Sequence, residues 1–214
     1  MKVRKMACSV LGVLSLLVLG SCGSGSVSLR QGSRAYTAGD YEQVYKKWTR
    51  AHDAFEFGEL RDVLAVTATF ESWDFRWAYT VRYAKDYSLP PAERQNILDT
   101  NLKDSVRHHS FFVTLAGGRF RESDISDKDS AWRVLLINEK GQALAPVGIE
   151  KIGRPRVPER VYFPSMSPHR QAFRVVFPVR FDNGEMVISR HSKYVVLRFT
   201  GAVGKVDLTW ELQG

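Results

Sequence analysis

The sequence contains very little cysteine, with only Cys8 and Cys22 among 214 residues. Since both lie near the amino terminus, residues 23–214 cannot form a disulfide and must be stabilised by a packed core. A bilayer-spanning segment is also lacking, because the apolar run from Met6 to Leu19 has only about 14 residues and a transmembrane helix needs roughly 20. The sequence therefore predicts neither a disulfide framework nor a permanent transmembrane anchor.

Catalytic motifs are equally absent after residue 22. The chain contains no HExxH, GxSxG, Walker loop or GxGxxG pattern, and each of these would mark a known way of placing a nucleophile, metal or phosphate. The sequence thus predicts no catalytic residue, no metal ligand and no cofactor, and it disfavours an enzyme. An enzyme with an unrecognised site is the remaining alternative, and it would need a deep pocket with convergent polar groups.

The histidines are predicted to be structural or surface residues. His108 and His109 are adjacent, and neighbouring residues of a strand point to opposite faces, so one metal ion is not expected to bind both. His52, His169 and His191 each stand alone in the sequence.

Carboxylates cluster in one loop that contains Glu122, Asp124, Asp127 and Asp129. Such a cluster could bind calcium, but its spacing is not that of an EF-hand loop. We expect a solvated loop there.

The amino terminus has the three parts of an export signal. Lys2, Arg4 and Lys5 precede the apolar run, and the small residues Gly20 and Ser21 follow it. This order predicts a signal peptide over residues 1–21.

The segment Leu19-Gly20-Ser21-Cys22 resembles the lipobox of bacterial lipoproteins. This resemblance implies that Cys22 receives a diacylglyceryl group before cleavage and is then held at a membrane. Position 23 is Gly and not the Asp that signals inner-membrane retention in enteric-type lipoproteins. An outer-membrane site facing the periplasm is therefore implied for a Gram-negative organism. The alternative is an ordinary secretory leader with an unrelated cysteine.

Positive charge is concentrated in the second half of the chain. Removal of the leader reduces the formal net charge from +8 to +5, and residues 111–214 then contain 16 basic and 11 acidic side chains. One loop between residues 151 and 170 contains the candidate binding residues Lys151, Arg154, Arg156, Arg160 and Arg170. Arginines in a proline-stiffened loop suit phosphate or carboxylate groups of lipid headgroups, lipopolysaccharide or an acidic polymer. The alternative is an ordinary basic surface, and nucleic acid is not an expected partner.

The pattern after the leader predicts a tether and then one domain. Small polar residues over 22–39 are typical of a flexible spacer. A short helix is predicted at 40–52, a strand at 63–70, and two helices at 73–87 and 91–106, the first with Ser72 as its N-cap. The two helices are expected to form an αα-hairpin.

Strand patterns dominate from residue 111 onward. The predicted strands cover 111–115, 132–137, 144–149, 172–181, 194–199 and 205–212. The fold class is therefore α+β and mainly β: a single antiparallel Ig-like β-sandwich over 40–214, with the helical hairpin of about 73–106 inserted after the first strand.

The closing segment Gly204-Lys205-Val206-Asp207-Leu208-Thr209-Trp210 and the aromatic helix after an Ala-Thr strand resemble uncharacterised domains of deltaproteobacterial-type lipoproteins. That resemblance implies no activity. The sequence as a whole favours a non-enzymatic envelope lipoprotein that binds a protein or polymer partner, with a binder of an anionic envelope ligand as the alternative.

Overall fold

The structure, a computed structural model, describes residues 25–56, 61–117, 123–202 and 204–213. The predicted signal peptide, the lipobox, Cys22 and Glu122 lie outside these ranges. In chain order the elements are β1 (Val27–Ser28), α1 (Tyr41–Trp48), β2 (Thr49–Glu56), β3 (Arg61–Phe70), α2 (Trp73–Asp86), α3 (Pro91–Arg107), β4 (His108–Gly117), β5 (Arg133–Asn138), β6 (Ala143–Leu144), β7 (Gly148–Lys151), α4 (Val157–Tyr162), β8 (Gln171–Pro178), β9 (Tyr194–Gly201) and β10 (Gly204–Gln213).

The strands form two five-stranded sheets. The order is β1-β10-β9-β5-β6 in the first sheet and β2-β3-β4-β8-β7 in the second. Neighbouring strands are antiparallel except for the parallel pair of β1 and β10. The predicted α+β class with mainly antiparallel strands is confirmed, and the arrangement is consistent with a β-sandwich.

Alternating burial explains how the sheets share a core. In β10, Val206, Leu208 and Trp210 are buried. The two residues on either side of Trp210, Thr209 and Glu211, are exposed. This is the period-two pattern of a strand with one face on the core. The Trp210 ring lies 5.3 Å from the ring of Phe111 and 6.1 Å from the ring of Phe70. The first sheet is thereby joined to β3 and β4 of the second sheet.

Strand β4 is buried on both faces. Phe111 contacts Trp210 of the opposite sheet, whereas Phe112 on the other face stacks on Phe163 with their ring centroids 3.7 Å apart. Phe163 in turn packs 5.7 Å from Phe75 of α2. The second sheet is therefore covered by the first sheet on one side and by helical segments on the other.

The predicted helices α2 and α3 are confirmed nearly to the residue. Ser72 is the N-cap of α2, and its hydroxyl accepts a hydrogen bond from the Phe75 backbone N–H at 3.2 Å. Pro91 occupies the first turn of α3, where its missing N–H costs nothing. Leu98 and Leu102 bury the inner face of α3.

Three parts of the strand and helix prediction were wrong. The helix predicted at 40–52 ends at Trp48, because Thr49 begins the unpredicted strand β2. The strand predicted at 144–149 is two short strands, β6 and β7, which belong to different sheets on either side of Pro146. The strand predicted at 172–181 is shorter and ends at Pro178.

The described part of the predicted tether is not a free spacer. Val27 is fully buried and is paired with Leu212 of β10. The Trp73 indole N–H donates to the Gly32 carbonyl at 2.8 Å, and Arg34 forms an ion pair with Asp74. Small polar composition predicts a spacer, but these backbone and guanidinium groups find partners on α2 and β10 that only the tertiary fold supplies.

None of the helices in the described ranges combines the length and the apolar composition that crossing a membrane requires.

Candidate functional site

The predicted basic loop connects β7 to β8, which pair antiparallel with Lys151 opposite Phe173. The Ile152 backbone N–H donates to the Ala172 carbonyl at 2.8 Å, so the loop begins and ends at one place on the sheet. Within it, α4 carries Pro158 in its first turn. Because proline fixes its own φ angle, it favours the start of this short helix.

Helix α4 has one buried and one exposed face. Glu159 and Tyr162 are buried, whereas Val157 and Val161 are 56% and 55% exposed and Arg160 is also exposed. A helix advances 100° per residue, so Val157, Arg160 and Val161 fall on one side and Glu159 and Tyr162 on the other. We call the set Val157, Arg160 and Val161 the α4 face.

Tyr162 fixes α4 to the helical layer. Its hydroxyl donates to Asp86 Oδ2 at 2.9 Å, and its carbonyl accepts a hydrogen bond from the Tyr41 hydroxyl. Burial, and then the Asp86 carboxylate, raises the pKa of Tyr162. The phenol therefore stays protonated and keeps donating at every physiological pH.

Glu159 occupies the buried side of α4 and holds one of the predicted cations. Arg156 donates from Nε and Nη2 to Glu159 Oε1 at 2.9 and 2.6 Å. Burial raises the pKa of the Glu159 carboxyl, but hydrogen bonding by Arg156 outweighs it and leaves that pKa lowered. Burial, and then the nearby Glu159 carboxylate, raises the pKa of Tyr79 to about 12.

The five predicted cations differ in how much charge they present. Lys151 contacts Asp124 Oδ2 at 2.5 Å, and Arg170 Nη1 donates to Thr67 Oγ1 at 3.0 Å. Arg156 is neutralised by Glu159.

Arg154 and Arg160 are exposed, and neither makes a side-chain hydrogen bond or ion pair within the described residues. The loop's exposed and uncompensated charge is thus carried by Arg154 and Arg160.

The acidic loop also lies partly within the described ranges. Asp124 accepts from the Ser126 hydroxyl at 2.6 Å as well as from Lys151. Burial opposes ionisation of Asp124, but these donors leave its pKa lowered. Among the described residues, no group of three or more His, Cys, Asp or Glu side chains is placed to hold a metal ion.

An ionic network that the sequence did not reveal lies between the helices and the second sheet. Arg76 contacts Asp104 at 2.7 Å and donates to the Glu71 carbonyl at 2.8 Å. Glu71 also accepts from Arg174 at 3.3 Å, and Asp104 is 3.1 Å from His108. Glu71 and Arg174 are 103 positions apart in the chain, so no local pattern could have identified the whole network.

His109 is the histidine that the fold perturbs most. Its Nε2 is buried, and its ring lies 5.8 Å from Phe70 in an edge-to-face contact. Burial, and then the neighbouring His108, lowers the pKa of His109 to about 4. The His109 imidazole, which lies partly buried against Phe70, is therefore neutral at neutral pH.

A row of aromatic rings follows one side of α2. Phe75, Tyr79, Tyr83 and Tyr87 are spaced four residues apart, with centroid distances of 6.2, 6.0 and 4.4 Å between successive rings. Tyr162 packs edge-on against this row, 5.2 Å from Tyr79. The row attaches α4 to α2, and it reaches solvent at Tyr87, which is 47% exposed.

The exposed valines are the site residues that sequence reasoning missed. Val157 and Val161 have helical spacing, but a helix of six residues gives too weak a periodic signal to identify. Proline at residue 158 could have indicated the start of that helix.

No family model, curated protein or solved structure matches the chain.

Proposed function

We propose that this chain is a membrane-anchored cell-envelope lipoprotein whose domain is a non-enzymatic binding module. The observation that carries the proposal is the order of a basic segment, an apolar run and Leu19-Gly20-Ser21-Cys22 at the amino terminus. Cys22 is the attachment point for lipid. Gly23 favours the periplasmic face of the outer membrane in a Gram-negative cell.

The domain is an Ig-like β-sandwich with an inserted αα-hairpin. Two facing five-stranded sheets support this topology, as does the position of α2 and α3 between β3 and β4, which pair directly. The Asn101 side-chain amide of α3 donates to Thr80 of α2 at 3.2 Å, in keeping with a helical pair. Sandwich domains of this kind bind partners through the loops at their ends.

The anchoring part is tested by the intact mass of the protein purified from envelope membranes. We expect the wild-type chain to begin at Cys22 and to carry acyl chains, and Cys22→Ala to lose both the added mass and the membrane fraction. Cys8→Ala is the matched control, because this cysteine leaves with the leader and its loss should change neither result. An unacylated mature wild-type chain would contradict the proposal.

The binding part is tested by affinity capture from detergent-solubilised envelopes, with Cys22→Ala for comparison. A reproducible partner that is retained by the acylated protein supports an adaptor role. If no protein, lipid or polymer is retained, the binding role is contradicted.

A second candidate function, binding of an anionic envelope ligand, is favoured by the exposure of Arg154 and Arg160. Uncompensated surface guanidinium groups attract phosphate and carboxylate, and this attraction weakens as salt screens it. Affinity for an anionic polymer such as dextran sulfate should fall steeply with salt and in the double variant Arg154→Ala/Arg160→Ala. Affinity that changes with neither contradicts this function.

A further inference from the structure

Two apolar side chains of the α4 face are exposed within one helical turn. Val157 and Val161 each expose more than half of their surface to solvent. Isolated exposed valines are ordinary on protein surfaces. A pair with i,i+4 spacing forms a continuous apolar ridge, and Arg160 lies beside it on the same face.

The two valines of this ridge cannot be buried in the protein, because the opposite side of α4 already packs in the core. Phe163, the residue that ends α4, is 3% exposed and stacked on Phe112. Tyr162 is bonded to both Asp86 and Tyr41. The α4 face is therefore presented outward by a fixed helix.

The charge around the ridge is complementary to an anionic surface. Arg160 and the preceding Arg154 are exposed, and the one acidic residue of α4, Glu159, is buried and bonded to Arg156. Residues 111–214 also contain five more basic than acidic side chains. Apolar side chains flanked by arginines match the boundary between lipid headgroups and acyl chains.

The link between Cys22 and the folded domain is short. Val27 is fixed in the first sheet beside Leu212, so five residue steps separate it from Cys22. A fully extended chain of that length spans at most about 18 Å. A domain of this size is roughly 40 Å across, so a lipid on Cys22 would hold it against or very near the bilayer.

We propose that the α4 face, together with Arg154, docks onto the anionic surface of the bilayer to which Cys22 is attached. This inference rests on the lipid anchor of the proposed function. Two valines bind a bilayer too weakly to act alone. Attachment through Cys22 raises the effective concentration of lipid next to the domain, and this makes a weak second contact productive.

The test places a polarity-sensitive fluorophore on the ridge of the acylated protein. Acylation of Cys22 leaves Val161→Cys as the only free thiol of the mature chain. The labelled protein is reconstituted in vesicles of phosphatidylcholine with phosphatidylglycerol and in vesicles of phosphatidylcholine alone. We expect a several-fold increase in emission on the anionic vesicles, and a decrease towards the neutral-vesicle value at high salt.

Two matched controls separate docking from general proximity. Ala92→Cys puts the same label at an exposed position in the first turn of α3, and its emission should not respond to lipid charge. Arg154→Glu/Arg160→Glu in the Val161→Cys background should abolish most of the anionic response, since each arginine near an anionic bilayer contributes roughly fivefold in affinity. Arg94→Glu/Lys103→Glu makes the same charge change on exposed positions of α3 and should leave the response intact.

Each outcome decides a different point. If the labels at residues 161 and 92 respond alike, or if lipid charge has no effect, the docking proposal is overturned. An equal response to soluble dextran sulfate assigns the surface to an anionic polymer and also overturns it. The intact mass tests the anchor separately. An unacylated Cys22 contradicts the proposed function and therefore this docking as well. An acylated chain whose label at residue 161 does not respond to lipid contradicts the docking alone.

Discussion

Gly201 ends β9 at a point where no side chain can fit. A Cβ atom there would lie 2.0 Å from the Ala131 carbonyl oxygen, which belongs to the backbone and cannot rotate away. Glycine is therefore required at residue 201 by close approach of two chain segments.

Gly201→Ala should reduce the free energy of unfolding by at least about 2 kcal/mol, because the backbone must shift to admit the methyl group. Gly148→Ala is the matched control, since a Cβ at residue 148 meets nothing within 4 Å. It should change stability by no more than about 0.5 kcal/mol. Urea unfolding measures both variants, and equal effects would contradict the close approach.

Burial of His109 makes the stability of the domain depend on pH. The pKa of this imidazole is about 4 in the folded protein, against an ordinary value of 6.5. A group with a depressed pKa in the folded state favours folding above its ordinary pKa, and its contribution is lost as the pH falls. The affected window thus extends from about 6.5 down to about 4.

We expect the wild type to lose about 3 kcal/mol of unfolding free energy through this histidine between pH 7 and pH 4. His109→Gln, which does not titrate, should remove that loss even though it is less stable at pH 7. His191→Gln changes an exposed histidine and should keep the wild-type pH profile. Denaturant titrations at several pH values measure the free energy of unfolding of the three proteins. If that of His109→Gln falls with decreasing pH as steeply as that of the wild type, the assignment to His109 is contradicted.

At the scale of elements, helices were predictable where the chain contains its own start signal. Ser72 precedes α2 and caps it, and Pro91 opens α3. These signals act over three or four residues and need no tertiary partner. Strand β2 has no comparable signal, because its pairing with β3 joins residues up to twenty positions apart.

Ser72→Ala should destabilise the domain by about 1 kcal/mol, because the Phe75 backbone N–H at the start of α2 loses its acceptor. Ser167→Ala provides a control at an exposed serine, and little change is expected from it. Thermal or urea unfolding followed by circular dichroism measures the difference. No loss in Ser72→Ala would show that another group satisfies this N–H.

At the scale of the whole molecule, Trp210 joins the layers. Its ring packs between β10 and the opposite sheet, and its indole N–H donates to the Trp48 carbonyl at the end of α1 at 3.0 Å. Since Trp210 is fully buried, the two sheets and α1 depend on one shared core.

Trp210→Ala should cost about 4 kcal/mol through the cavity that it leaves between the sheets. Unfolding of the variant should remain a single transition, with far-UV and near-UV circular dichroism changing together. Trp73→Ala is a control at a partly exposed tryptophan outside that core and should cost less. Separate transitions would show that the sheets unfold independently.

The sequence by itself determined α2, α3, most of the later strands and the mainly antiparallel class, because capping residues and the period-two alternation of apolar residues are local properties. It also indicated the basic loop, since charge composition does not depend on the fold. Only the tertiary structure decided which of those cations have a side-chain partner, because the positions of Asp124, Glu159 and Thr67 are set by packing. It likewise decided that Val27 is fixed in a sheet and that Val157 and Val161 face solvent. Burial of a side chain depends on what the rest of the chain places over it, and a short local pattern does not contain that information.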